Sequence, residues 1–182
     1  MKRILLLFCL LASSLIQAEP ANVAPAIITE ASGKLIAALT EAIAKDGAAG
    51  AIGVCSEKAP EIAAELGEKH GVVLRRLTEK PRNPKNTATD EEKALLAAFA
   101  ADLENAKKHE PRTVTSPGGA VVFHAPIVIP VPLYLQCHGY PGTDIAPETL
   151  AEIRKLYPDD KATGYKVGDL RGAWGVTTAP KP

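Results

Sequence analysis

Thr113-Val114-Thr115-Ser116-Pro117-Gly118-Gly119-Ala120-Val121-Val122-Phe123-His124-Ala125-Pro126-Ile127-Val128-Ile129-Pro130 is the stretch that decides the fold class. Ser116-Pro117-Gly118-Gly119 has the composition of a tight turn, and β-rich runs follow at Ala120–Phe123 and Ile127–Ile129. The stretch therefore predicts a β-hairpin, and with it an antiparallel sheet. Pro126 and Pro130, with Pro132 beyond, have no N–H for a strand ladder, which puts this strand near an edge or a break. His124 sits between Phe123 and Ala125, where it either lines a pocket or is a satisfied strand histidine.

Upstream of the hairpin the period changes. Ile28, Leu35, Ile36, Leu39 and Ile43 recur near every 3.6 residues and predict a helix over 27–45, ended by Asp46-Gly47. Ile52, Cys55, Ala59, Ile62 and Leu66 step by three and four along a second helix, 50–69, which places Cys55 on its buried stripe. Val72, Val73 and Leu74 begin a strand that runs into Arg75-Arg76. Two prolines bar helix from Lys80-Pro81-Arg82-Asn83-Pro84-Lys85-Asn86, a basic loop that is either solvated or an anion clamp. Asp90-Glu91-Glu92 open a third helix that reaches Lys107-Lys108, with acids and bases at the ends that the helix dipole favours. Beyond the hairpin come a loop carrying Cys137-His138, a short helix over 147–155 and a last strand ending Ala173-Trp174-Gly175-Val176. Helices first and strands after predict the α+β class, with an antiparallel sheet behind N-terminal helices in a single domain.

Residues 1–18 read as an export signal: Lys2 and Arg3, an apolar run from Ile4 to Leu11, and Ala18 at a cleavage site. The expected product is a periplasmic domain, 19–182, with no further stretch long and apolar enough to remain in a membrane. Cleavage removes Lys2 and Arg3 from 21 basic residues and nothing from 21 acidic ones. The slightly acidic remainder suggests neither nucleic acid nor a membrane surface as a partner. Cys9 and the sole methionine, Met1, leave as well, which excludes a His/Met haem ligation. Two cysteines are left, Cys55 and Cys137, and in an exported protein such a pair most often forms a disulfide.

Tyr134-Leu135-Gln136-Cys137-His138-Gly139 contains the second half of a C-x-x-C-H haem-attachment motif, with Tyr134 where the first cysteine belongs. In that chemistry the thiol adds to a haem vinyl group and the adjacent histidine ligates the iron. His70 and His109 lie at helix ends among charged residues, as surface histidines do. Cys55 is a stronger second ligand, because a thiolate on a buried helix face needs a cation beside it, and ferric iron is one. Arg75, Arg76, Arg82 and Arg171 suit the haem propionates, since a guanidinium binds a carboxylate with two parallel bonds. Asp159-Asp160 reads as a solvated charge pair in a turn. There is no G-x-S-x-G, Gly-rich phosphate loop or H-E-x-x-H, so no enzyme is expected. A haem peroxidase would have only His124 for its distal base.

Several stretches occur in one order along the chain. They are Ala51–Ser56 with Ala59-Pro60, Arg75-Arg76-Leu77-Thr78 with Lys80–Pro84 and Asn86, Ala125-Pro126-Ile127, and Leu135–Gly139. Tyr157–Asp160 with Ala162–Tyr165, and then Val167–Ala173, complete the set. Together they resemble the bacterial haem-c-binding PAS-like domains, a family long catalogued as a domain of unknown function. The resemblance implies a PAS-like domain holding one haem c, with His138 and Cys55 as axial ligands and, given Tyr134, a single thioether through Cys137. Tyr134, Arg82 and Arg171 are expected around the haem. The implied role is electron transfer, or sensing of redox state or a diatomic gas, with a redox protein or that gas as partner. The alternative is a haem-free PAS-like binding module with a Cys55–Cys137 disulfide.

Overall fold

The computed structural model describes residues 20–105, 110–116 and 119–178. The expected signal, His109 and the Pro117-Gly118 centre of the hairpin turn lie outside the described residues. Both N-terminal helices belong to one element, α1 (Pro20–His70), broken at Gly47. Gly47 adopts φ 70, ψ −176, a conformation that is accessible because glycine has no Cβ. Gly50 is equally constrained, since a Cβ there would lie 2.4 Å from the Cβ of Asp46. The two limbs fold back on each other: Ala24, Ile27 and Ala31 share a core with Ile62 and Leu66. Lys34 bonds Glu65 at 2.6 Å and Lys69 bonds Glu30 at 3.0 Å across the same seam, although such exposed pairs add little stability. By length and composition α1 is apolar enough to cross a membrane, which the sequence reading did not find. Only 17% of its apolar window is buried, although Ala24, Ile27 and Ala31 of α1 belong to the core.

The strands β1 (Val72–Leu77), β2 (Arg112–Thr115), β3 (Val121–Val128) and β4 (Leu170–Thr178) form one antiparallel sheet in the order β1-β4-β3-β2. The expected hairpin is the β2–β3 pair. It explains how β3 tolerates a proline, because β2 pairs only as far as His124 and Pro126 lies just past that point. The α+β class and the N-terminal helical layer are as expected.

Alternation along the strands gives the sheet two faces. Val72, Leu74, Phe123 and Val176 pack on α1, while Leu77 and Ala173 pack on Leu96 and Phe99 of α2 (Asp90–Glu104). A capping box starts α2: the Thr89 hydroxyl accepts from the Glu92 N–H, and the Glu92 carboxylate accepts from the Thr89 N–H. Two short helices, α3 (Leu135–His138) and α4 (Pro147–Leu156), complete the fold, with single 3-10 turns at Pro84–Asn86 and Pro132–Tyr134.

Candidate functional site

The core on the α1 face stops partway up the sheet. Above it lies a cavity of about 420 Å³, walled by both limbs of α1, by Arg76, Ala125 and Trp174 of the sheet, and by the turn from Tyr134 to His138. The apolar stripe of the first limb explains the opening. Ile27 and Ala31 are buried against the sheet, but Leu35, Leu39 and Ile43 further along line the cavity. Ile36 and Leu133 stand at its rim, 48% and 42% exposed. Cys55 behaves likewise: Ile52, Ile62 and Leu66 on its stripe are buried, whereas Cys55 is half-buried and faces the cavity.

Cys137-His138 is helical rather than a loop, which corrects the sequence reading. The 3-10 turn Pro132–Tyr134 runs directly into the single turn of α3. Gly139 follows with extended backbone, at a position where a Cβ would lie 2.5 Å from the Asp144 Cβ and 2.7 Å from the Leu135 carbonyl oxygen. Arg82 holds this turn from beneath. Its Nη2 donates to the Cys137 carbonyl at 2.6 Å, and its Nε donates to Asp160 Oδ1 at 3.0 Å. Asp160 also accepts from the Ala162 N–H at 3.1 Å, and the Ala162 carbonyl in turn lies 2.8 Å from His138 Nδ1. The Arg82–Asp160 pair is nearly sealed from water, with side chains 9% and 7% exposed. Asp160 is thus a buried structural anion and not the solvated charge read from sequence. The error arose because its partner is 78 residues away.

These contacts set the protonation of the site. A carbonyl only accepts, so neutral His138 carries its proton on Nδ1 and keeps a lone pair on Nε2. Burial, then the charges of Arg171 and Arg82, holds His138 well below its ordinary pKa, so the imidazole is neutral at pH 7. Burial and the proximity of Cys55 push the Cys137 thiol up to about 11. Burial raises Cys55 as well, against the opposing pull of Arg76 and Arg82. Burial also raises Tyr134, which stays a neutral phenol. Cys55 and Cys137 are both free thiols, so the alternative disulfide is absent.

All the residues singled out for the site, Cys55, Arg82, Tyr134, Cys137, His138 and Arg171, line this one cavity. His124 does not. It sits on the α2 face beside Gly175 and Arg75, 4% exposed, with Nδ1 unpartnered. A distal base at His124 is therefore out of reach of the cavity. Trp174 and Tyr157 line the cavity and carried no prior expectation; an alternating strand pattern from Leu170 would have pointed to Trp174. A second cleft of about 500 Å³ opens on the α2 side, but neither a thiol nor an imidazole lines it.

The family model Tll0287-like matches residues 13–179. The chain belongs to the Tll0287-like family. A search of curated proteins found no match. Among solved structures, the cyanobacterial heme-protein Tll0287 is similar, with a TM-score of 0.63 at 23% identity, covering 90% of this chain and 98% of that one. At that identity the likeness establishes a shared fold. The Tll0287-like fold thus supplies one cavity with an imidazole nitrogen, two neutral thiols and three arginines on its wall.

Proposed function

We propose that this Tll0287-like protein is an exported haem protein in which His138 Nε2 and Cys55 Sγ are the axial ligands. The observation that carries the reading is the tethered His138. Its Nδ1 is tied to the Ala162 carbonyl, and its free nitrogen belongs to a cavity that Cys55 also lines. The residues fit a haem in other respects: the walls are largely apolar, arginines are present for propionates, and among the described residues no Asp or Glu lines the cavity. The solved relative is itself described as a heme-protein.

The chain's own groups then divide the work. Arg82 and Asp160 fix the turn that presents His138, and Ala162 fixes its tautomer. A bound haem would supply one-electron chemistry and a coordination site for a diatomic gas. Cys137 is the residue that would attach a haem vinyl group, as a single thioether, since Tyr134 stands where the motif's other cysteine belongs. Tyr134 stands at the cavity wall as a neutral phenol. Cys55 ionises only against a cation, because burial opposes its thiolate. Its hold on a haem iron would therefore weaken when the positive charge facing it falls, which would suit electron transfer or a redox or gas switch.

The test is a pyridine haemochrome spectrum of protein made in a host with c-type maturation. One saturated vinyl group is expected from the band position. A protein without a Soret band would refute the haem reading, and a band for two unsaturated vinyls would refute the thioether. Cys55→Ala should change the ferric spectrum and raise the potential; an unaltered spectrum removes Cys55 from the ligand set.

A further inference from the structure

We infer that Arg76 is the carboxylate receptor of the cavity, the side chain on which a porphyrin propionate closes; the identity of that ligand rests on the haem reading above. Four arginines compete for this role by sequence, and their surroundings separate them. Arg75 lies on the opposite face of the sheet, where it pairs with Glu92 of α2 and donates to the Thr87 carbonyl. Arg82 is neutralised by Asp160 and spends its remaining bonds on the Cys137 and Ala162 carbonyls. Arg171 donates Nη1 to the Thr78 hydroxyl and the Lys80 carbonyl and rests on the Tyr165 ring at 5.5 Å, so that only part of its fork, the buried Nε included, is left unpartnered.

Arg76 has none of this. Among the described residues it makes no hydrogen bond or ion pair, yet it is half-buried and lines the cavity. Its one contact of note is with Trp174, its cross-strand neighbour, whose ring centroid lies 5.8 Å from the guanidinium carbon. A cation over an indole face gains some attraction. That contact also leaves all five N–H donors for another group. An ion withdrawn from water without a counter-ion is costly, and among the described residues no carboxylate lines the cavity to relieve it. The partner must come with the ligand, and it must be an anion with two acceptors in a plane.

Porphyrin pairs test this directly by fluorescence titration and Soret absorbance. Metal-free protoporphyrin IX and its dimethyl ester differ only in the two carboxylates and need no iron ligand. Wild-type protein should bind the diacid at least about tenfold more tightly than the ester, the scale of one hydrogen bond to a charged group. Arg76→Gln should erase that preference while leaving ester binding unchanged, and Arg76→Lys should restore part of it. Arg75→Gln should retain the full preference. A preference that survives Arg76→Gln, or one that disappears only in Arg171→Gln, overturns the assignment. Because removing an unpaired charge should leave the empty protein equally or more heat-stable, a misfolded Arg76→Gln also counts against it. If the iron porphyrin shows no axial ligation by His138 while the diacid preference holds, the ligation reading fails and the Arg76 receptor stands.

Discussion

On the α2 face of the sheet, Leu77 and Ala173 meet Leu96 and Phe99, all of them buried, and Arg75 and Arg112 there are paired with Glu92 and Asp102 of α2. On the α1 face the packing of Leu74 and Val176 gives way to an open cavity, and Arg76 of β1 has no partner there among the described residues. The same strands build both faces, and neighbouring residues such as Arg75 and Arg76 fall on opposite sides. The difference shows a division of labour. The closed face pairs its arginines within the chain and packs Leu77, Ala173, Leu96 and Phe99 together, with its cleft lying beside that core, so it stabilises. The open face leaves apolar wall, thiols and a cation unsatisfied, so it waits for a ligand.

Large-to-small substitutions offer the sharpest way to break this comparison. Phe99→Ala on the closed face should cost about 3–5 kcal/mol in denaturant unfolding, because it leaves a new void among packed neighbours. Leu39→Ala on the cavity wall should cost less than about 1 kcal/mol, since space already exists beside it. Equal costs would mean that the open face is packed as tightly as the closed one.

The next largest effect belongs to the ion pair beneath the site. Arg82→Ala strands the Asp160 carboxylate out of water and should cost roughly 3 kcal/mol, with a double substitution Arg82→Ala, Asp160→Asn recovering part of it. Arg75→Ala on the other face loses a more exposed bridge and should cost at most about 1 kcal/mol. Measuring all three by chemical denaturation would show whether the buried pair or the exposed one matters more.

The smallest effect is a pH slope. Burial, more than the nearby Arg75 charge, holds His124 below its ordinary pKa near 6.5. The unfolded chain therefore takes the proton first, so stability is complete above about pH 6.5 and declines as pH falls through and below that value. In His124→Leu the decline should be shallower. An identical pH profile would place the acid sensitivity on the other face.

Much of this was legible in local pattern. The turn residues before Ala120 and the β-rich run after them predicted the hairpin, and the stripes of three and four predicted both limbs of α1 along with its break. Periodicity put Cys55 on a buried stripe and its thiol chemistry made it a ligand candidate, but the stripe could not show that a cavity rather than core covers it, because periodicity reports a face and not what covers it. The helical state of Cys137-His138 was missed because Pro132 in a 3-10 turn starts the helix from a segment that reads as loop.

The sequence by itself determined the α+β class, the half motif at Cys137-His138 and the family. Each depends on side chains within a few residues of one another, where period and turn chemistry act. Only the tertiary structure decided that Asp160 is buried against Arg82, that His124 and His138 lie on different sides of the sheet, and that Arg76, among the described residues, makes no hydrogen bond or ion pair on the cavity wall. Those outcomes depend on which charges meet across long separations in the chain. Desolvation makes every such meeting costly to leave unmade, and no local pattern records it.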